Sequence, residues 1–228
     1  MSKPTRIALV GATGLIGTSL IRLAVHRPDI RVIGISRREA ALPPGARMEL
    51  LVADPANWDD AIAAANADVL VCALGTTWKK AGKDEAAFRA VDQDLVLACG
   101  KAVKAAGIRQ MIAVSSVGAD PMAKNFYLKV KGEVEQGLGK LGITRLDLLR
   151  PGLLRGPREE LRPAEKLGMI ASPLADLLMQ GGYRKYRSVR AETMAHAIVG
   201  LTREAMAGRF VFEHDAILRA ARRGQSAL

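Results

Sequence analysis

Tyr127 stands four residues before Lys131, and two adjacent serines, Ser115 and Ser116, stand a short way upstream. A tyrosine and a lysine at i and i+4 share one face of a helix. A free phenol titrates at about 10, and a neighbouring ammonium favours its phenolate, so the pair can act as a general acid or base near neutral pH. A serine hydroxyl close by can polarise a carbonyl. In a chain with three tyrosines and many lysines this spacing arises easily by chance, so the position of the pair in the fold must carry the reading. Lys129 has no comparable partner and reads as a solvated residue.

The second constellation lies near the start. Arg6–Val10 reads as a strand and runs straight into Gly11-Ala12-Thr13-Gly14-Leu15-Ile16-Gly17. Gly11 suits a tight turn, Gly14 lets backbone approach a pyrophosphate, and Gly17 lets the following helix pack on the strand. The N–H groups of this loop, through Thr13, Leu15 and Ile16, and the positive end of the helix then face the phosphates. The spacing G-x-x-G-x-x-G departs from the familiar G-x-G-x-x-G, but its strand and helix context agrees.

Cofactor choice is read at the end of the second strand. An NAD site usually carries a carboxylate there for the ribose 2′-hydroxyl, whereas this chain has Ser36-Arg37-Arg38. Two guanidiniums suit a 2′-phosphate, so NADP(H) is expected; the alternative is that both are solvated. Glu39 falls past the strand end. Asp54 reads either as a partner of the adenine amino group or as a turn carboxylate beside Pro55. Leu74-Gly75-Thr76-Thr77 follows the fourth strand, where a glycine lets backbone run close to a cofactor ribose.

These residues need a scaffold that delivers loops to one edge. Strands are expected at Arg6–Val10, Ile30–Ile35, Met48–Ala53, Asp68–Ala73, Gln110–Ser115 and Thr144–Leu149. Helices are expected at Leu15–His26, Trp58–Ala64, Glu85–Ala106 and Phe126–Leu141. Alternation of this kind implies an α/β fold, a doubly wound parallel sheet with helices on both faces. At 228 residues the chain suits a single domain, 1–228. After Arg150-Pro151-Gly152, Pro157, Pro163 and Pro173 break the pattern; a helix Ala191–Ala205, a strand Arg209–Phe212 and a helix near Asp215–Arg222 follow. Residues 151–228 are expected to contribute a small C-terminal cap over the strand ends, where ligands of open α/β sheets bind.

Composition narrows the class. No apolar run approaches the length of a membrane span; the polar start carries no secretory signal, and Cys72 and Cys99 lack metal-ligand spacing, so a cytoplasmic chain with reduced thiols and no metal is expected. His26, His196 and His214 are scattered and read as structural. The net charge of +11 gathers at Arg37-Arg38, Lys79-Lys80-Lys83, Arg184-Lys185-Arg187-Arg190 and Arg219-Arg222-Arg223. No nucleic-acid motif accompanies it. An anionic cofactor explains part of the excess. Arg155, Arg158, Arg162, Arg184, Lys185 and Arg187 either favour an anionic small-molecule substrate or only add solubility. A homo-oligomer is left open.

Taken together, the glycine loop, Ser115-Ser116, Tyr127-x-x-x-Lys131 and Arg150-Pro151-Gly152 resemble the short-chain dehydrogenase/reductase superfamily in its atypical or extended branch. More narrowly, Cys72–Thr77, Ser115–Asp120, Asn125–Glu133 and Leu149–Gly152 resemble the Tat-interacting oxidoreductase-like proteins and their bacterial epimerase/dehydratase-like relatives. The resemblance implies a Rossmann fold, bound NADP(H), Tyr127 and Lys131 at the active site, Arg37-Arg38 at the 2′-phosphate, and Gly152 and Leu153 in a turn against the cofactor. The serine-to-tyrosine spacing is shorter than is common in the superfamily, so Ser116 is favoured with Ser115 as the alternative.

The leading expectation is an NADP(H)-dependent oxidoreductase acting on a small carbonyl or alcohol, with a Ser116-Tyr127-Lys131 proton relay. A nucleotide-sugar epimerase or dehydratase would use the same core. A non-catalytic redox sensor that binds NADPH is the third reading; it would not need the relay.

Overall fold

Alternation along β1 (Thr5–Val10) divides its side chains between two buried layers, Ile7 and Leu9 to one face and Ala8 and Val10 to the other. The same period of two recurs in β4 (Val69–Cys72), where Leu70 and Cys72 join the layer of Ala8 while Val69 and Val71 join that of Ile7. A strand buried on both faces must lie inside a sheet covered by helices on each side. The structure, a computed structural model, describes residues 3–39, 41–46, 48–156 and 179–225.

Seven strands form one sheet in which every pairing is parallel. To β1 and β4 it adds β2 (Ile30–Ser36), β3 (Glu49–Val52), β5 (Gln110–Val114), β6 (Arg145–Leu149) and β9 (Gly208–Phe212), in the order β3-β2-β1-β4-β5-β6-β9. On one face lie α2 (Trp58–Ala64), α4 (Leu95–Ala105) and α5 (Phe126–Gly139). On the other lie α1 (Leu15–Val25), α6 (Ala191–Leu201) and α7 (His214–Gln225). This is the doubly wound α/β sheet that the sequence pattern implies.

Two elements differ from expectation. The helix expected over Glu85–Ala106 is broken into α3 (Glu85–Arg89), a π-helical turn at Ala90–Asp94, and α4. The helix expected over Ala191–Ala205 stops at Leu201, with the Thr202 hydroxyl donating to Val199 O at 2.8 Å.

The chain after Arg150 also does more than lie over the strand ends. β9 extends the sheet beside β6, and α6 and α7 complete the helical layer around α1. Among the described residues, what remains at the strand ends is 151–156, with β7 (Leu154–Arg155), and 179–190, with a 3-10 segment Gly181–Tyr186 and β8 (Val189–Arg190), which pairs with β7. Pro157, Pro163, Pro173, Arg158 and Arg162 lie outside the described residues. Several basic residues are ion-paired: Arg27 and Arg203 with Asp29, Arg184 with Asp215, and Arg223 with Glu204. No helix among the described residues is long and apolar enough to cross a membrane.

Candidate functional site

The strand order reverses at β1 and β4: the chain leaves β1 toward β2 and β3, then crosses to β4 on the other side. At such a reversal the loops beyond the strand ends diverge and leave a crevice. Here its floor is unusually close. Gly11 has φ +92°, and a Cβ on it would lie 2.6 Å from the Ala73 carbonyl oxygen, so the glycine loop and the loop after β4 meet backbone to backbone. A Cβ at Gly17 would overlap the Gly11 carbonyl, which brings the first turn of α1 against the end of β1. Gly14 occupies the N-cap of α1, no side chain caps it, and the first turn holds no acidic residue. Thr13 and Gly14 are exposed and Leu15 and Gly11 half-buried, so the positive end of an eleven-residue helix opens on the crevice. The glycine loop, packed backbone to backbone against its neighbours, and the uncapped, non-acidic start of α1 together form a cradle that fits a pyrophosphate.

Arg37 and Arg38 follow the end of β2, both exposed and neither in an ion pair among the described residues. The Ser36 hydroxyl donates to the Arg38 carbonyl and accepts the Arg38 N–H at 3.3 Å, which fixes the turn that carries them. Asp54, exposed after β3, accepts the Ala56 N–H on Oδ1 at 2.9 Å and caps the 3-10 turn Pro55–Asn57. The turn role read as the alternative for Asp54 is therefore present, and among the described residues it engages only one of the two oxygens. β2 and β5 are three strand spacings apart, roughly 14 Å at the usual separation, so Arg37-Arg38 and the serine loop flank opposite ends of the crevice.

At the second end, Tyr127 lies in the first turn of α5, capped by the Asn125 carboxamide accepting the Leu128 N–H at 3.1 Å. Lys131 lies one turn on, its Nζ 5.9 Å from the centre of the Tyr127 ring. The two differ in exposure: the tyrosine is 38% exposed and the lysine 4%. Burial works against the lysine's charge, but Asp92 at 2.8 Å and then Tyr127 outweigh it, and its pKa is raised. Asp92 is itself fully buried in the π-helical turn, and its other oxygen accepts the Thr76 N–H at 2.7 Å. One carboxylate thus joins the lysine to the loop Leu74–Thr77. Phe88 and Phe126 meet edge to face at 5.6 Å, and Phe88 stands 6.0 Å from the Tyr127 ring. Trp78 completes this aromatic wall against Phe126 at 5.4 Å and is 42% exposed.

The serines separate by environment. Ser115 is buried and donates to Glu135 at 2.6 Å, and Arg150 grips the same carboxylate at 2.8 and 2.5 Å. The hydrogen bond to Glu135, set against burial, raises the Arg150 pKa. Ser116 is half-buried, its hydroxyl 3.3 Å from the Val117 carbonyl. The serine loop is held against the turn after β6, with the Val117 N–H donating to Pro151 O at 3.0 Å. Gly152 nests against the Tyr186 and Arg187 carbonyls, and Leu153 is 52% exposed beside it.

Three residues of this arrangement do not come out of sequence reasoning. Gly132 allows the Asp120–Pro121 backbone to lie on α5, where a Cβ would overlap it, and so seats the serine loop beside Tyr127 and Lys131. Glu135 occupies Ser115. Asp92 had a legible signal, since it interrupts the apolar stripe Phe88, Val96, Cys99, Val103, all buried. Cys72 and Cys99 are free thiols in hydrogen-bond contact with each other in the core beneath this site; that bond holds the Cys72 pKa down and the Cys99 pKa up.

Residues 11–142, more than half of the chain, match the NAD(P)H-binding family. The chain belongs to the NAD(P)H-binding family. Among curated relatives, a protein named mitochondrial fmp52 from Emericella nidulans is 36% identical over 185 residues, covering 75% of this chain and 79% of its own. The FMP52 protein of Saccharomyces cerevisiae, also named mitochondrial, is 32% identical over 195 residues, covering 84% and 81%. Of solved structures, a putative NAD-dependent epimerase/dehydratase from Bacillus halodurans superposes with TM-score 0.68 at 18% identity, over 96% of this chain and 99% of its own. The Bordetella bronchiseptica enzyme WbmG, in complex with NAD, gives 0.66 at 16%, over 93% and 73%. Likeness at that identity speaks for the fold. Family membership and the fitted cradle together make this an NAD(P)-binding Rossmann-like protein. The expectation of a cytoplasmic chain does not stand, because the curated relatives are named mitochondrial. The buried free thiols of Cys72 and Cys99 do not separate one reducing compartment from another.

Proposed function

We propose that this member of the NAD(P)H-binding family is an NADP(H)-dependent oxidoreductase of the short-chain dehydrogenase/reductase type, acting on a small carbonyl or alcohol. The observation that carries this reading is the pairing of a half-exposed Tyr127 with a buried, charged Lys131 one helical turn away, at the end of the crevice opposite Arg37-Arg38. Nicotinamide, when bound, supplies or accepts a hydride. The chain's residues do the rest. Gly11, Gly14, Gly17 and the N–H groups of Thr13, Leu15 and Ile16 hold the pyrophosphate. Arg37 and Arg38 grip the 2′-phosphate, and the unengaged oxygen of Asp54 accepts from the adenine amino group. Leu74, Gly75, Thr76 and Lys131 face the nicotinamide ribose, with Gly152 and Leu153 behind the ring. Tyr127 exchanges a proton with the substrate oxygen, and Ser116 orients that oxygen by hydrogen bonding. The narrower likeness to the Tat-interacting oxidoreductase-like proteins belongs to the same reading.

An anionic substrate fits one part of this surface. Arg155 and Arg190 line a cleft of about 200 Å3 with Gly156, Ala191 and Glu192, and a Cβ at Gly156 would lie 2.7 Å from Leu15 beside the glycine loop. Arg184 and Arg187 are engaged elsewhere, with Asp215 and with the Met179 carbonyl.

The test is NADPH oxidation across a panel of aldehydes and ketones, neutral and carboxylated. Net oxidation separates an oxidoreductase from an epimerase, which returns the hydride, and from a sensor, which turns over nothing. Tyr127→Phe should lower kcat at least about a hundredfold and leave NADPH affinity near the parent value. Turnover at the parent rate would remove Tyr127 from the mechanism.

A further inference from the structure

Asp92 and Lys131 form an ion pair at 2.8 Å with side chains 1% and 5% exposed. Taking two such ions out of water costs several kcal/mol each, and a buried pair is weak evidence for stability. An apolar pair of similar size would serve the core as well, so the charges call for a role in geometry. Asp92 is also aimed by a backbone irregularity. It sits in the π-helical turn Ala90–Asp94 inside an otherwise α-helical stretch, and such turns concentrate at functional sites because the extra residue re-aims a side chain. Its two oxygens reach different elements: Oδ1 the ammonium on α5, Oδ2 the Thr76 N–H in the loop after β4. Gly75, in that loop, leaves the carboxylate close beneath the backbone; a Cβ there would lie 3.7 Å from Oδ1.

We propose that Asp92 is a positioning residue that sets the nicotinamide half of the dinucleotide site by holding Lys131 and the loop Leu74–Thr77 at a fixed separation. This rests on the reading of the crevice as a dinucleotide site. Asp92 touches neither substrate nor cofactor; it acts through the lysine and the Thr76 backbone. Its influence is therefore local to one half of the ligand. It should govern affinity for whole dinucleotides, NADPH and NADH alike, and not for the adenosine half that Arg37, Arg38 and the glycine loop hold.

The experiment measures dissociation constants of NADPH, NADH and adenosine 2′,5′-bisphosphate for the full chain and for Asp92→Asn. The amide keeps an acceptor for Thr76 and removes the charge that holds Lys131. Both dinucleotides should weaken by about tenfold or more, the scale of a misplaced contact, while the bisphosphate binds as it does to the parent. Equal weakening of all three, or unchanged NADPH affinity, overturns the proposal. Asp92→Glu covers the case in which a lone buried ammonium prevents folding: it keeps the ion pair and displaces the carboxylate by one methylene, and the same selective loss is expected. If neither variant folds, the pair is a requirement of the core and the positioning role falls. A parent protein that binds no dinucleotide sinks the reading of the site as well, whereas a binding parent with an indifferent variant sinks this inference alone.

Discussion

Ser115 and Ser116 are neighbours in the chain with opposite commitments. The Ser115 hydroxyl is spent on Glu135, which Arg150 also holds, and that network ties β5, α5 and β6 together behind the site. Among the described residues, Ser116 has only a long contact to its neighbour's carbonyl, which leaves its hydroxyl able to reach a ligand. Ser115→Ala should cost about 1–3 kcal/mol of stability, because it strips a buried carboxylate of a donor, while kcat stays close to the parent value. Ser116→Ala should leave the melting temperature nearly unchanged and lower kcat about a hundredfold, the scale for losing one donor to a reacting oxygen. Thermal melts and steady-state kinetics on the same two variants check both; the reverse pattern would move the catalytic role to Ser115. The sequence could not separate the serines, because the residue that does so lies 20 positions downstream on another element.

At the scale of elements, the strands and helices of the first two-thirds were legible, since apolar alternation and glycine punctuation repeat there without interruption. The π-helical turn was not legible as such: the apolar stripe from Phe88 to Val103 reads as one helix, and the buried carboxylate of Asp92 that interrupts it was the sign of a departure. Nor does sequence show which glycines are contacts and which are turns. Gly132 sits in mid-helix, where glycine is unfavourable, and its reason appears only when the Asp120–Pro121 backbone is found lying on it. Gly132→Ala should therefore destabilise the fold by about 3 kcal/mol, the upper range for overpacking, lowering the melting temperature by roughly 6–12 °C. Gly182→Ala, with nothing within 4 Å of the added Cβ, is the control and should change little. Equal melting temperatures for the two variants would mean that the serine loop does not rest on α5.

For the whole molecule, the parallel sheet places charge-bearing loops in a line along one edge. The loop after β2 carries Arg37-Arg38, the loops after β1 and β4 close on each other at the reversal, and the loop after β5, which carries the serines, lies against α5, the helix of Tyr127 and Lys131. Which strand each loop follows could be inferred from alternation and motif spacing; the lateral order of the strands that sets the loops in a line could not. The role of the last third could not: a strand of five residues at the sheet edge and two helices locked through Gly200 and Gly224 look, in sequence, like the pieces of a cap. We propose that this line of loops holds NADP(H), with the 2′-phosphate on Arg37 and Arg38. Titration of the purified chain with NADPH and with NADH, repeated on Arg37→Ala/Arg38→Ala, tests it most directly. NADPH should bind the parent more tightly than NADH, and the double variant should lose about 2–3 kcal/mol for NADPH alone. Equal affinity for the two dinucleotides in the parent, or no change in the variant, would contradict it.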